Sequence, residues 1–217
     1  QSDDQVIFCG SGATAVINKL IDILNLRLPQ ELSKRYLADD SECPVVFVGP
    51  YEHHSNELPW RESIAEVICI PLTESGEIDL NVLQQKLKDN AHRSLLIGSF
   101  SAASNVTGIK SDIAAITKML KQYGALTFWD YAAAAPYVDI NMNGANPKDA
   151  VFISPHKFIG GPGTPGILVI KKSLLKNAMP AVVGGATVLY VTPKDHVYVE
   201  HSERREEGGT PAIVESI

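Results

Sequence analysis

Short, almost wholly apolar runs alternate with amphipathic segments along this chain, and that alternation limits the fold more than any other feature. Val6–Cys9, Val45–Val48, Val67–Ile70, Leu95–Phe100, Leu126–Asp130, Val151–Ser154 and Ile167–Ile170 read as strands. Their lack of polar alternation implies burial on both faces, the condition of a largely parallel sheet covered by helices on each side. Helical spacing falls at Thr14–Leu26, Leu80–Lys88 and Asp112–Tyr123. In the last of these Ile113, Ile116, Leu120 and Tyr123 share one face, Asp112 suits the start and Gly124 the stop. The expected fold is α/β, with a mostly parallel seven-stranded sheet.

With 217 residues, 45% of them hydrophobic, the chain can bury a full core. Its net charge of -6 argues against nucleic acid or an anionic membrane as partner, although local backbone donors can still hold one phosphate. No run approaches the about 18 apolar residues of a membrane span, and no basic-then-apolar signal segment opens the chain. It begins at Gln1 and enters a strand pattern at once, which reads as a piece of something longer. Cys9, Cys43 and Cys69 show no C-x-x-C spacing and are odd in number. Cys9 and Cys69 end apolar runs and read as buried small hydrophobes, in a reducing, intracellular and cytoplasmic setting. The tail from Thr192 carries the charged run Glu203–Glu207, read as a solvated face or a crossing to a further domain.

Five segments carry chemistry. Gly10-Ser11-Gly12-Ala13-Thr14-Ala15 follows a strand and opens a helix, where glycines admit an anion to free N–H groups. It reads equally as a tight turn, and it also fits the G-x-G-x-x-A dinucleotide pattern. Tyr51-Glu52-His53-His54-Ser55-Asn56 lacks zinc-protease spacing, leaving a surface histidine pair or an imidazole stacked on a flat ligand. Ser104-Asn105-Val106-Thr107-Gly108 follows the fourth strand, with Asn105 able to donate and accept. Asp130 ends a buried strand and requires a donor or cationic partner, a helix N-cap being the plain alternative. Lys157, after Ser154-Pro155-His156, sits beside Gly160-Gly161-Pro162-Gly163. A single lysine is by default a surface residue, but here phosphate turn, imidazole, acid and lysine each follow an apolar strand. Ligands in open α/β sheets gather at that edge.

In this order the segments resemble the class V aminotransferase family of fold type I pyridoxal-phosphate enzymes, especially its cysteine desulfurase branch. The resemblance rests on Glu52 to Trp60, Ser104–Gly108, Ser154-Pro155-His156-Lys157 and Glu207-Gly208-Gly209-Thr210-Pro211. It implies pyridoxal 5′-phosphate held as a Schiff base on Lys157, which then serves as base and acid at the substrate's α-carbon. It implies Asp130 on the ring nitrogen, His53 stacked on the ring, and Ala13, Thr14, Ser154 and His156 on the phosphate. Asn105 would lie near the ring hydroxyl and substrate carboxylate, and Thr210 would reach the phosphate of a second subunit, hence a homodimer. The substrate would be a small amino acid, and no metal is implied. Ala133 stands where desulfurases usually place a glutamine for the ring oxygen. A cofactor-binding domain is expected over 1–191, with 192–217 leading toward a small domain that carries the family's substrate arginine and nucleophilic cysteine. None of the three cysteines matches that nucleophile. Two other readings are a binding or scaffold module on the same fold, and a nicotinamide-dependent oxidoreductase. The latter lacks its ribose-binding acid about twenty residues past the turn and leaves Asp130 and Lys157 unexplained.

Overall fold

A computed structural model describes residues 3–29, 31–32 and 43–217. Strands β1 (Asp4–Cys9), β2 (Val45–Val48), β3 (Glu66–Cys69), β4 (Leu96–Ser101), β5 (Leu126–Asp130), β6 (Ala150–Ile153) and β7 (Gly166–Lys171) form one sheet. Its order is β1-β7-β6-β5-β4-β2-β3. β3, β2, β4, β5 and β6 run parallel, whereas β7 is antiparallel to both β6 and β1. Two reversals restore the direction of β1, so the carboxyl ends of six strands share one edge. The mostly parallel seven-stranded sheet is thus present, with β7 as its one antiparallel member.

Successive strand residues point to opposite faces, and each face has its own core. Val46, Val48, Phe128 and Phe152 face α1 (Gly12–Ile23), meeting Val16, Ile17, Leu20 and Ile21. Val45, Phe47, Trp129 and Val151 face α3 (Leu80–Asp89) and α4 (Ile113–Gln122), meeting Leu83, Leu87, Ile116 and Leu120. A short helix, α2 (Leu58–Arg61), places Trp60 against Phe128, with ring centroids 6.1 Å apart and planes 12° from parallel. Asp79 caps α3 by accepting the Asn81 and Val82 N–H groups, and Asp112 caps α4 by accepting that of Ala115. α4 stops before Gly124, whose φ of 70° matches the expected terminator. α1 starts two residues before the helical spacing suggests and ends before Asn25, a non-glycine residue at φ 58°.

The tail contains an antiparallel ribbon, β8 (Val188–Val191) with β9 (His196–Tyr198), and a short helix, α5 (Ser202–Glu206). The charged run is not a solvated face throughout. Glu206 is only 3% exposed and pairs with buried Lys19 of α1, while Glu207 accepts the Phe8 N–H of β1 at 2.7 Å. This edge of the sheet and the outer side of α1 thereby gain buried polar partners, which such groups need once removed from water. The cysteines also differ from expectation. Cys69 is exposed because it closes edge strand β3, Cys9 is half-buried, and Cys43 is the buried one. Among the described residues no helix is long and apolar enough to cross a membrane.

Candidate functional site

The turn after β1 is shaped by two left-handed glycines, Gly10 at φ 38° and Gly12 at φ 55°. The start of β7 lies directly against it, since a Cβ on Gly166 would stand 2.3 Å from the Gly12 carbonyl oxygen. Ser11 provides no side-chain cap for α1. The Ser154 hydroxyl, arriving from the end of β6, instead accepts the Ala13 N–H at 2.8 Å. A Cβ on Gly12 would meet His156 Cε1 at 2.5 Å and Ser154 Oγ at 3.0 Å. The helix start, Ser154 and the His156 imidazole therefore form one cradle, in which backbone N–H groups, a hydroxyl and the helix dipole favour an anion. Thr14 joins it from the first turn, with its hydroxyl 2.6 Å from that of Ser55.

His53 belongs to the same assembly. Its Nδ1 accepts the Ser55 N–H at 3.1 Å, capping the single turn His54–Asn56, and lies 3.0 Å from Ser55 Oγ. An Nδ1 that accepts an amide proton leaves the proton of the neutral ring on Nε2. The ring itself is exposed and is tilted 44° from that of His54, so the two histidines do not stack. Among the described residues no group of three or more His, Cys, Asp or Glu could hold a metal ion.

Behind His53 lies a polar network that the sequence reading did not single out. Glu52 Oε1 accepts the N–H groups of Gly49 (3.2 Å) and Ser101 (3.0 Å), while Oε2 accepts from Asn56 Nδ2 (2.6 Å) and Ser101 Oγ (2.7 Å). Asn56 is fully buried and continues the network, taking the Ser99 hydroxyl proton at 2.6 Å. Burial raises the Glu52 carboxyl to about 7 against the pull of these donors, and the nearby Asp130 charge adds to the rise. The signal available in the sequence was a charged residue directly after an apolar strand and a Gly-Pro turn. With its carboxyl turned inward, Glu52 does not offer the outward acid that a dinucleotide ribose requires.

Asp130 closes β5, directly opposite Ser101 of β4 and Phe152 of β6. It is 4% exposed. Oδ1 accepts the Ala132 N–H at 2.8 Å, and among the described residues Oδ2 receives no hydrogen bond. A turn rather than a helix follows, so this bond caps no helix. Desolvation pushes the Asp130 carboxyl up, while the Ala132 N–H and then the charges of Lys157 and His53 act in the opposite direction. Lys157 sits on the single turn Pro155–Lys157 after β6 with its side chain exposed. The glycine run beside it has a steric cause: a Cβ on Gly161 would lie 2.0 Å from the Pro155 carbonyl oxygen.

Asn105 is exposed on the loop after β4, whose turn is held by Ser104 Oγ accepting the Val106 and Thr107 N–H groups. Its side chain makes no hydrogen bond among the described residues. Ala133 is half-buried in the turn after Asp130. Thr210 is exposed in a groove that it shares with Gly10, Ser11 and Ala15 of its own chain. The structure thus gathers Ala13, Thr14, Ser154 and His156 in one cradle and His53, Asp130 and Lys157 at the same sheet edge, with Asn105 on a neighbouring loop.

The family model for aminotransferase class-V matches residues 1–217. A probable cysteine desulfurase 2 from Mycobacterium leprae is 31% identical over 171 residues, covering 77% of this chain and 39% of that protein. A probable cysteine desulfurase from Staphylococcus aureus is 30% identical over 184 residues, covering 83% of this chain and 43% of its own length. Among solved structures, apo cysteine desulfurase from Thermococcus onnurineus superposes with a TM-score of 0.76 at 24% identity, over 96% of this chain and 48% of that one. The chain therefore spans about two-fifths of the length of these curated relatives and about half of that of the solved structure.

Proposed function

Since this chain belongs to the class-V aminotransferase family, we propose that it binds pyridoxal 5′-phosphate and forms the cofactor-holding part of an enzyme acting on a small amino acid, cysteine desulfurase-like in chemistry. The observation that carries this reading is Asp130, a buried carboxylate with one oxygen still open, on the strand next to the one whose following turn presents Lys157. A buried acid of this kind calls for a proton-bearing nitrogen, and the cradle at Gly12, Ser154 and His156 calls for an anion. A phosphorylated pyridine satisfies both. The donor set therefore fits the cofactor.

In this reading Thr14, Ser154 and His156 hold the phosphate, and the Ala13 N–H contributes by fixing the Ser154 hydroxyl. Asp130 would keep the ring nitrogen protonated, and His53 would cover one face of the ring. Bound there, the cofactor supplies an electron sink for bonds at the substrate's α-carbon. Lys157 Nζ is the amine that retains the cofactor covalently and moves a proton at that carbon. Asn105, whose side chain makes no hydrogen bond among the described residues, would lie near the substrate carboxylate and ring hydroxyl. Residues 1–191 act as the cofactor-binding domain and 192–217 lead toward a smaller one. Thr210 reaches the phosphate of a second subunit in a homodimer.

The names of the relatives and the motif order favour desulfuration over amino transfer. Ala133, which cannot donate to the ring oxygen, favours a second reading in which the fold binds cofactor without turnover. Incubating the full-length protein with pyridoxal phosphate and then with L-cysteine separates them. Alanine and enzyme-bound sulfur are expected, whereas retained cofactor and no product from any amino acid would establish the binding module. A protein that stays colourless with added cofactor would end both readings.

A further inference from the structure

We propose that Glu52 is a positioning residue for the cofactor face, fastening the loop that carries His53 to the end of β4 beside Asp130. This rests on the cofactor reading above.

Three observations converge on it. The Glu52 carboxyl makes four hydrogen bonds, two of them to Ser101, whose Cα is the register partner of Asp130. The next residue is His53, and Asn56, three positions further, is tied to Glu52 and to the backbone of Ser99 in β4. All four donors are neutral, and among the described residues no lysine, arginine or histidine forms an ion pair with Glu52. A core salt bridge would explain the acid by charge alone. Here only an acceptor-rich group at the meeting point of the His53 loop and β4 explains it.

The arrangement makes the clamp sensitive to protonation. The ionised carboxylate accepts from all four donors, but a protonated one turns an oxygen into a donor and loosens one contact. The groups that face it are Asp130 on β5, Cys69 at the end of β3, and Glu77, Lys110 and Asp112 around the adjoining cavity, with His53 next to it in the chain. Burial pushes the Asp130 carboxyl up as well, and Glu52, raised to about 7, is the one that a Glu52→Gln substitution removes.

The test compares pyridoxal phosphate dissociation constants of the full-length wild type and Glu52→Gln from pH 5.5 to 8.5, with L-cysteine turnover measured in parallel. Glutamine keeps the size but cannot ionise. The ratio of variant to wild-type dissociation constants should rise with pH through about 7 and level off at about tenfold, the loss expected for one well-formed bond to a charged group. Ser101→Ala removes one donor while leaving the acid in place, and keeps the test valid should Glu52→Gln fold poorly. It should show a smaller loss with its inflection moved to higher pH. A ratio of one at every pH, or a constant loss without inflection, would overturn the positioning role and leave the Lys157 reading standing. Absence of cofactor uptake by the wild type would overturn both.

Discussion

The Ser154 hydroxyl receives the Ala13 N–H at 2.8 Å and so joins two positions 141 residues apart. The bond ties the first turn of α1 to the turn that presents Lys157. It couples the cradle at the start of α1 to the Lys157 turn, and that coupling depends on the glycine next to Ala13.

Gly12→Ala tests it. Gly12 adopts φ 55°, and a methyl there would press on His156 Cε1 at 2.5 Å. The substitution should destabilise the chain by about 2 kcal/mol, combining backbone strain with overpacking. It should also weaken pyridoxal phosphate binding more than tenfold. Gly108→Ala, at φ 73° with nothing within 4 Å, should cost about 1 kcal/mol and leave cofactor affinity unchanged. Urea unfolding and cofactor titration of both variants check the contrast.

Asp130→Asn should separate stability from function. Burial pushes the Asp130 carboxyl up, so in the cofactor-free chain an amide that still accepts the Ala132 N–H removes an unfavourable charge. Thermal stability of the cofactor-free variant at pH 8 should equal or exceed that of the wild type. Amino-acid turnover by the full-length variant should fall about 100-fold, the cost of no longer holding the ring nitrogen protonated. A parallel fall in both quantities would mean that Asp130 serves packing alone.

Stability should also depend on pH through Glu52. Its folded carboxyl stands at about 7, above its ordinary 4.5, so between these values the folded chain holds more protons than the unfolded one. Its contribution is fully present below about 4.5 and declines as pH rises toward about 7, by on the order of 3 kcal/mol. Denaturation of the cofactor-free protein across pH 4.5–8 should show this slope, and Glu52→Gln should flatten it.

Much of the framework was legible because its causes are local. Val45–Val48 and Leu126–Asp130 carry unbroken apolar runs since both faces of the sheet are covered, and Asp112 and Gly124 mark the ends of α4 through capping and a left-handed stop. Strand direction is not written in such runs, so β7 gave no sign that it runs against its neighbours. The β8–β9 ribbon did have a signal, with Val188-Leu189-Tyr190-Val191 and His196-Val197-Tyr198 flanking Thr192-Pro193-Lys194-Asp195. Lys157, His53 and Asp130 stood out because each is a polar group at, or within a few residues of, the end of an apolar strand. Glu52 did not, because its meaning comes from Ser101, 49 residues away, and no pattern within its own loop reports that contact. The burial of Glu206 against Lys19 was hidden for the same reason: a charged run looks solvated until its partner is known.

The central claim is that Lys157 is the covalent anchor of the cofactor. Borohydride reduction of the pyridoxal-phosphate-loaded full-length protein, followed by peptide mass analysis, tests it most directly. The account predicts a phosphopyridoxyl group fixed on Lys157 and none elsewhere, with the label abolished in Lys157→Ala. A label on another lysine, or spread over several, would contradict it.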